Sequence, residues 1–361
     1  MQTIHRRGEL SNLKKAIQSG SVNLGFAGGS ITTATTVNNW PTYLRGWFLN
    51  AYNGVRLNTF NAAIGATGSL CGLLLAEQEL IRTECDLVLV EYAVNDNDVD
   101  ADRRMRTREG LIRKLLRANI DVVLVYTFYQ NMYDEMKDGG VPQSIQDLEQ
   151  LAEHYNLSSV FMAQEAYEQV QRGIIPWNAW LPDGTHPHHI GSYFYANAVI
   201  AFLQEELSTP NPCTACKGDA LPAPVNQKHW ENTADIAFDT VTTHGAWSVA
   251  REVHIPWFDR RLMTYGLGDW LEFTFEGRGL AIVFSYGKSS GLIEYQLDGG
   301  DWQPYVCQRY WWMPEENFVN AVRMFDDLPD GKHHVKLRVS HANTDGCNSS
   351  NCNILKLCAV K

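Results

Sequence analysis

Residues 1–207 alternate short apolar runs with segments of helical periodicity, and this alternation limits the fold more than any other feature of the chain. The apolar runs predict strands at 22–27, 55–64, 86–95, 121–128 and 157–162. Continuous apolar strands that alternate with helices form a parallel sheet with helices on both faces. We therefore predict an α/β domain whose ligands bind at the carboxyl ends of the strands.

A change in composition after residue 207 predicts a second domain. Residues 208–229 are rich in proline, which is typical of a linker. From 230 to 361, segments of alternating apolar and polar residues are separated by Gly and Asp turns. This pattern predicts an antiparallel, jelly-roll-like β-sandwich. The predicted organisation is thus a domain over 1–207, a linker over 208–229 and a sandwich over 230–361.

The charge of the chain excludes several classes of partner. A net charge of -11 argues against binding to nucleic acid or to an anionic membrane surface. The basic run between Arg103 and Arg108 follows several aspartates, and we interpret it as a solvated, ion-paired helix face. No run approaches the roughly 18 apolar residues of a membrane helix. The basic N-terminus has no apolar segment behind it, so we expect a cytoplasmic protein.

The eight cysteines do not form the dense framework of a small secreted domain, and we expect them to be reduced thiols. Cys213 and Cys216 form a CxxC pair in the predicted linker. A structural zinc site needs four ligands, and one such pair supplies only two. We expect no metal and no cofactor, although a metal role for this pair or for the C-terminal cysteines stays open.

A serine stands directly beyond the first predicted strand. Gly28 and Gly29 precede Ser30, and small residues allow a tight turn there. The spacing matches neither a phosphate-binding P-loop nor a dinucleotide fingerprint. The α/β-hydrolase elbow is also excluded, because Thr32 stands where its last glycine belongs. Ser30 either caps a helix or serves as a nucleophile at the edge of the sheet.

Other segments carry the groups that a serine nucleophile needs. Asp183 and His186 lie three residues apart in a loop, where the carboxylate can hold one imidazole nitrogen while the other accepts the serine proton. Asn95 ends the third predicted strand, and its amide can donate to an oxyanion. Gly65 follows the second strand and can present a bare backbone N–H. Together these residues favour acyl transfer with Ser30 as the nucleophile.

Ser30, Gly65, Asn95 and His186 fall in the order and approximate spacing of the SGNH, or GDSL, hydrolases, and the chain resembles that family over about residues 20–205. The resemblance implies a flavodoxin-like three-layer α/β/α fold. It also implies a triad of Ser30, His186 and Asp183. The implied oxyanion hole consists of the N–H groups of Ser30 and Gly65 with the side chain of Asn95.

The chain departs from the family's pattern at two positions. The usual Gly-Asp-Ser is Gly28-Gly29-Ser30 here, so the acidic residue beside the nucleophile is missing. Asn95 lacks the glycine that commonly stands two residues earlier. Neither departure removes a catalytic group, and both bear on the shape of the pocket and its response to pH.

Aromatic residues point to sugar as the substrate class. Trp177 and Trp180 lie in a proline-flanked loop just before Asp183 and are candidates to stack on a sugar ring, whereas we expect Trp40 and Trp47 to be core residues. The sandwich resembles carbohydrate-binding modules in size, strand pattern and aromatic content. The two-domain arrangement resembles bacterial carbohydrate acetylesterases of the mannan-oligosaccharide type.

The sequence therefore predicts a serine esterase that removes O-acetyl groups from acetylated oligosaccharides, with mannan as the first and xylan as the second expected backbone. Two alternatives remain open. One is an SGNH lipase or thioesterase that acts on longer acyl chains, and the other is a non-catalytic sugar-binding protein. A homodimer also stays open.

Overall fold

The structure, a computed structural model, describes residues 3–33, 39–305, 309–344 and 346–361. Contacts between Cα atoms divide the chain into two compact units, Met1–Glu231 and Asn232–Lys361. The proline-rich residues 208–229 therefore belong to the first unit, and each unit has its own sheets and core.

The first unit contains a sheet whose central strands are completely buried. Its strands are β1 (Ile4–His5), β2 (Ser21–Ala27), β3 (Arg56–Asn61), β4 (Leu87–Val90), β5 (Asp121–Val125) and β6 (Ser159–Val160). Their order across the sheet is β1-β6-β5-β4-β2-β3, and only β1 runs antiparallel to its neighbour. The parallel strands have the spatial order of flavodoxin-like folds. The predicted α/β domain is thus confirmed.

Helices cover this sheet in two packed groups. The helices are α1 (Ser11–Ser19), α2 (Trp40–Ala51), α3 (Ser69–Ala76), α4 (Ala101–Arg117), α5 (Tyr133–Met136), α6 (Gln143–His154), α7 (Met162–Gln171), α8 (Trp177–Trp180) and α9 (His189–Ser208). One group joins α2, α7, α8 and α9, and the other joins α3, α4 and α6. Trp40 is fully buried, as predicted, whereas Trp47 is half-buried. Among the described residues, no helix combines the length and apolarity needed to cross a membrane.

The basic run lies on α4, and its predicted exposure is wrong. Arg104, Arg106 and Arg108 are all buried, because α4 packs against both α3 and α6. The run is ion-paired, as predicted, through Arg104 to Asp147 and Arg108 to Asp96. The charges are therefore paired inside the domain rather than on a solvated face.

The strand order places two of the candidate residues together. β2 and β4 are parallel neighbours, and the order in which successive strands join the sheet reverses between them, which is the usual ligand-binding point of such folds. Ser30 follows β2 and Asn95 follows β4. The predicted runs 55–64 and 86–95 are longer than β3 and β4, because the chain leaves the sheet after Asn61 and Val90.

The second unit is built from antiparallel strands: β7 (Thr233–Asp235), β8 (Thr242–His244), β9 (Ser248–Arg251), β10 (Arg260–Thr264), β11 (Trp270–Gly277), β12 (Gly279–Tyr286), β13 (Leu292–Leu297), β14 (Gln303–Tyr305), β15 (Phe318–Phe325), β16 (Gly331–Ser340) and β17 (Cys352–Val360). One sheet has the order β15-β12-β17-β10-β9, with β7 paired to β17, and the other has the order β14-β13-β16-β11-β8. Alternate residues of both sheets, such as Phe273 and Ile282, form one apolar core. The predicted β-sandwich is confirmed.

Candidate active site

The residues after β2 form a tight turn and not the start of a helix. The N–H groups of Thr32 and Thr33 both donate to the carbonyl of Gly29, at 3.1 and 3.0 Å. The next helix, α2, begins at Trp40, and its N-cap is Asn39, whose side chain accepts from the N–H of Thr42. Ser30 is therefore not a helix cap, and its side chain is left for another role.

Ser30, His186 and Asp183 form one hydrogen-bonded chain. The Oγ of Ser30 lies 2.6 Å from Nε2 of His186, and Nδ1 of His186 lies 2.7 Å from Oδ2 of Asp183. The distances fit a hydroxyl, an imidazole and an orienting carboxylate in sequence. The structure thus brings together the three residues that the sequence predicted as a triad.

The carboxylate of Asp183 is fixed by its own loop. Its Oδ1 accepts from the N–H groups of Thr185 and His186, at 2.9 and 2.7 Å. Partial burial raises the pKa of this carboxyl, but the hydrogen bonds from His186 and Thr185 outweigh that effect and hold it below its ordinary value. Asp183 is therefore an anion at neutral pH, although its side chain is 56 % exposed.

Gly65 lies beside Ser30. A Cβ placed on Gly65 would meet only the Cβ of Ser30, at 3.8 Å. Neither the N–H of Ser30 nor that of Gly65 donates to a protein acceptor among the described residues. Ala66 has a φ of 59°, a left-handed conformation that costs about 1 kcal/mol in a residue other than glycine. The backbone is therefore strained at Ala66, close to the N–H groups of Ser30 and Gly65, which have no protein acceptor among the described residues.

Asn95 packs against the nucleophile turn from β4. A Cβ on Gly29 would overlap Oδ1 of Asn95, which explains why position 29 carries no side chain. The Nδ2 of Asn95 donates to no protein acceptor in the described part of the chain, and its buried Oδ1 has no partner there. Asn95 thus offers a further N–H donor close to Ser30.

A buried ion pair fixes the segment that carries Asn95. Asp96 accepts from Nε of Arg108 and from the N–H of Ser69, each at 2.9 Å. Arg108 is 1 % exposed and also donates to the carbonyl of Tyr92 at 2.9 Å. Removing one member of such a pair leaves an uncompensated buried charge. The sequence interpretation missed this role, because it placed Arg108 in solvent.

The two tryptophans predicted to bind substrate differ. Trp180 is 0 % exposed, stacks on Phe128 and donates to the hydroxyl of Tyr195, so its prediction as a substrate-binding residue is wrong. Trp177 is half-buried. It lines a cavity of about 700 Å³ together with Gln130, Asn131, Tyr133, Asp134 and Gln171.

That cavity adjoins the loop of the triad. The N–H of Gln130 donates to the carbonyl of Gly184 at 2.7 Å. Gly184 lies between Asp183 and Thr185 and has a φ of 81°. Trp177 therefore remains a candidate substrate contact next to the catalytic loop.

No three His, Cys, Asp or Glu side chains cluster as metal ligands within the described ranges. Cys213 is exposed, Cys216 is half-buried, and both are free thiols.

No protein-family model matches the chain, and no curated protein matches its sequence. Among solved structures, a two-domain esterase active on acetylated mannans, co-crystallised with mannopentaose, matches with a TM-score of 0.82 and 22 % identity, covering 99 % of this chain and 97 % of that one. A second structure of a two-domain esterase active on acetylated mannans matches with a TM-score of 0.81, the same identity and the same coverage. An acetylxylan esterase from Geobacillus stearothermophilus matches 52 % of this chain and 95 % of its own, with 22 % identity and a TM-score of 0.44. Over nearly its whole length, the chain has the fold of the two-domain mannan esterase.

Proposed function

We propose that the protein is a serine esterase that removes O-acetyl groups from acetylated plant-polysaccharide oligosaccharides, mannan being the first expected backbone and xylan the second. The observation that carries the proposal is the hydrogen-bonded chain from Ser30 through His186 to Asp183. The solved esterase of the same two-domain fold, which is active on acetylated mannans, supports the substrate class.

The geometry supports a double-displacement mechanism. The Oγ of Ser30 attacks the acetyl carbonyl carbon while its proton passes to Nε2 of His186, and Asp183 stabilises the imidazolium through Nδ1. The tetrahedral intermediate collapses when the C–O bond to the sugar breaks, and Nε2 returns the proton to the sugar oxygen. Water then attacks the acetyl-serine by the same route and releases acetate.

The N–H donors beside Ser30 act both when the acetyl-serine forms and when water hydrolyses it. The carbonyl oxygen becomes an oxyanion in each tetrahedral intermediate, and donors that are already oriented stabilise it most strongly. The N–H groups of Ser30 and Gly65 and the Nδ2 of Asn95 lack other acceptors among the described residues and adjoin the nucleophile. They form the proposed oxyanion hole.

Asn95→Ala is expected to lower kcat for an acetyl ester roughly 100- to 1,000-fold with little change in KM, because the lost hydrogen bond exists mainly in the transition state. Asn58→Ala is the matched control. Its Nδ2 donates to Asn23 at 2.8 Å between the edge strand β3 and β2, near the N-terminal ends of these strands and not at the carboxyl ends that Ser30 and Asn95 follow. A kcat for Asn95→Ala equal to that of the Asn58 control would show that the oxyanion is held by other groups.

The second unit supports a sugar substrate independently. In the loop between β14 and β15, Trp311 is 93 % exposed, and the rings of Tyr310 and Trp312 stack with their centroids 5.8 Å apart. Exposed aromatic rings of this kind bind the apolar faces of sugars. We infer that this unit is a carbohydrate-binding module.

The acyl group and the backbone are tested with two substrate panels. Chromogenic acetate, butyrate and octanoate esters are expected to be hydrolysed at rates that fall in that order. Acetylated manno- and xylo-oligosaccharides, followed by NMR, are expected to release acetate, with the mannan series reacting faster. Faster hydrolysis of octanoate would instead favour a lipase or thioesterase, and a faster xylan series would reverse the order of the backbones.

A further inference from the structure

A carboxyl group that the mechanism does not use lies beneath the nucleophile turn. Glu91 is the first residue after β4, is 0 % exposed, and stands among the otherwise hydrophobic residues 87–94. Burying a carboxyl group is unfavourable unless its oxygens are well hydrogen-bonded. Its contacts therefore indicate what the group does.

Both oxygens of Glu91 accept hydrogen bonds from the carboxyl ends of neighbouring strands. One oxygen accepts from the hydroxyl of Thr127, beyond β5, at 2.6 Å. The other accepts from the hydroxyl of Thr32 at 3.0 Å and from the N–H of Gly29 at 3.4 Å. Glu91 thus connects the ends of β2, β4 and β5 at the point where Ser30 leaves the sheet.

The same carboxyl group also shapes the turn by contact. A Cβ on Gly28 would lie 2.9 Å from Oε2 of Glu91, so the carboxylate lies directly against the backbone of the turn. Thr32 is held in place from its other side, since its Oγ1 accepts from Nε1 of Trp40 at 3.2 Å. Glu91 and Trp40 together determine where Thr32, and with it the turn, can lie.

Successive N–H groups of the turn have different roles. The N–H of Gly29 is used by Glu91, whereas the N–H of the next residue, Ser30, has no protein acceptor among the described residues. Anchoring the first N–H to a fixed acceptor orients the peptide group that follows. Position 29 itself has no room for a side chain, because Asn95 fills the space there.

We propose that Glu91 is a positioning residue, which holds the turn through Gly29 and Thr32 so that the hydroxyl and N–H of Ser30 face the reacting carbonyl. The inference rests on the proposed esterase function. It assigns to Glu91 no contact with substrate, so loss of Glu91 lowers kcat rather than raising KM.

Two substitutions test the contact from both sides. Glu91→Gln keeps the shape of the side chain but has one acceptor oxygen, whereas the donors around Glu91 use both oxygens of the carboxyl group. Thr32→Val removes the hydroxyl that donates from the turn to Glu91. Each is expected to lower kcat for a chromogenic acetate about tenfold, with KM changed less than about twofold. Thr32→Ser retains the hydroxyl and is expected to stay within about twofold of wild type in kcat. The Glu91→Gln/Thr32→Val double variant is expected to lose much less than the product of the single effects, because both remove one contact.

Glu109→Gln is the matched control. Glu109 is also 0 % exposed in the first unit and accepts two backbone N–H groups, those of Val225 and Asn226, together with the hydroxyl of Tyr155. Its substitution is expected to lower thermal stability and leave kcat unchanged. A residue with only a structural role at position 91 would behave in the same way.

The rate at which a fluorophosphonate labels Ser30 separates this inference from the proposed function, because the reagent needs no particular ester. The inference is supported if Glu91→Gln and Thr32→Val slow labelling about tenfold relative to Glu109→Gln. It is overturned if both variants label and turn over at the wild-type rate, or if Thr32→Ser loses as much as Thr32→Val. Rapid labelling of wild type without release of acetate from any acetyl ester would contradict the proposed function and leave the labelling comparison for Glu91 intact.

Discussion

Replacing Ser30 by alanine is expected to lower kcat/KM for an acetyl ester by roughly 10⁴-fold or more. The hydroxyl lies 2.6 Å from Nε2 of His186, and alanine offers that nitrogen no proton to accept and the carbonyl no nucleophile. The small residual rate would come from the remaining oxyanion donors and from substrate binding. Initial rates with a chromogenic acetate measure the effect. Ser30 is half-buried and lies outside the core, so we expect the variant to fold and the lost rate to reflect the missing hydroxyl.

A fluorophosphonate distinguishes the loss of a nucleophile from a general loss of structure. Only a serine activated by a base reacts with it rapidly. Wild type is expected to label at one site, Ser30→Ala not at all, and His186→Ala far more slowly, because that control keeps the hydroxyl but loses its base. Labelling of Ser30→Ala at the wild-type rate would place the nucleophile elsewhere, and an inert wild type would support a non-catalytic sugar-binding protein.

The arrangement of the candidate site could be predicted because parallel strands end at one edge of their sheet. Ser30 and Asn95 each follow a strand of the parallel sheet, so their positions in the sequence were enough to place them at the same edge, and the structure shows that the two strands are neighbours. Asp183 and His186 were identified from local spacing, since three residues in a loop allow the carboxylate to reach the ring. The order of the strands follows only from the resemblance to a flavodoxin-like family, because apolar runs by themselves carry no information about which strand lies beside which.

Burial of charge could not be predicted from local pattern. The run from Arg103 to Arg108 looks like a surface segment, but two of its arginines contact α6: Arg104 pairs with Asp147, and Arg108 donates to Ser144, 36 residues away. Glu91 is the converse case. A single acid in an apolar run is a recognisable signal, yet its partner Thr32 lies 59 residues away. Whether a charge is buried and satisfied depends on such distant partners, which a single sequence does not reveal.

The prediction that Trp180 contacts substrate is wrong for the same reason. Trp177 and Trp180 lie in one short helix flanked by proline, and nothing local distinguishes them. Phe128, which covers Trp180, comes from the end of β5, 52 residues earlier in the chain. Packing from a distant strand therefore determines which of the two can meet a ligand.

Asp183→Asn is the second substitution with a large expected effect, and the reason lies in the hydrogen bonds of the loop. Oδ1 of Asp183 accepts from two backbone N–H groups, which can only donate. In the variant the amide oxygen must stay with those donors, so the NH₂ group faces Nδ1 of His186. Nδ1 then accepts a hydrogen bond, and the ring carries its proton on Nε2, where it cannot accept the proton of Ser30.

We expect this wrong tautomer to lower kcat roughly 10³- to 10⁴-fold near neutral pH, with the fold retained. Near-ultraviolet circular dichroism checks the fold, and initial rates check the turnover. Because the hydrogen bonds of the loop hold the pKa of Asp183 below its ordinary value of 3.8, the wild-type carboxylate stays charged across the mildly acidic range, and the deficit is expected to persist there.

The second unit contains a matched control, an Asp–His pair that is also joined through Nδ1 of the histidine. Oδ2 of Asp298 lies 2.8 Å from Nδ1 of His333, and its Oδ1 accepts from the N–H of His334. The Nε2 of His333, however, faces the carbonyl of Pro329 and not a hydroxyl. The hydrogen bond to Asp298 raises the pKa of His333 above 6.5, so this pair stabilises the fold below pH 6.5 and loses that effect as the pH rises through the raised value.

Asp298→Asn is therefore expected to lower the free energy of unfolding in mild acid and to leave kcat unchanged. Asp183→Asn is expected to lower kcat and to retain the fold. The two variants separate an Asp–His pair that orients a general base from one that only pairs charges. If Asp183→Asn keeps more than about a tenth of wild-type kcat, the carboxylate does not fix the tautomer of His186. The half-exposed ring would then orient itself through Ser30 alone, and a dyad would replace the proposed triad.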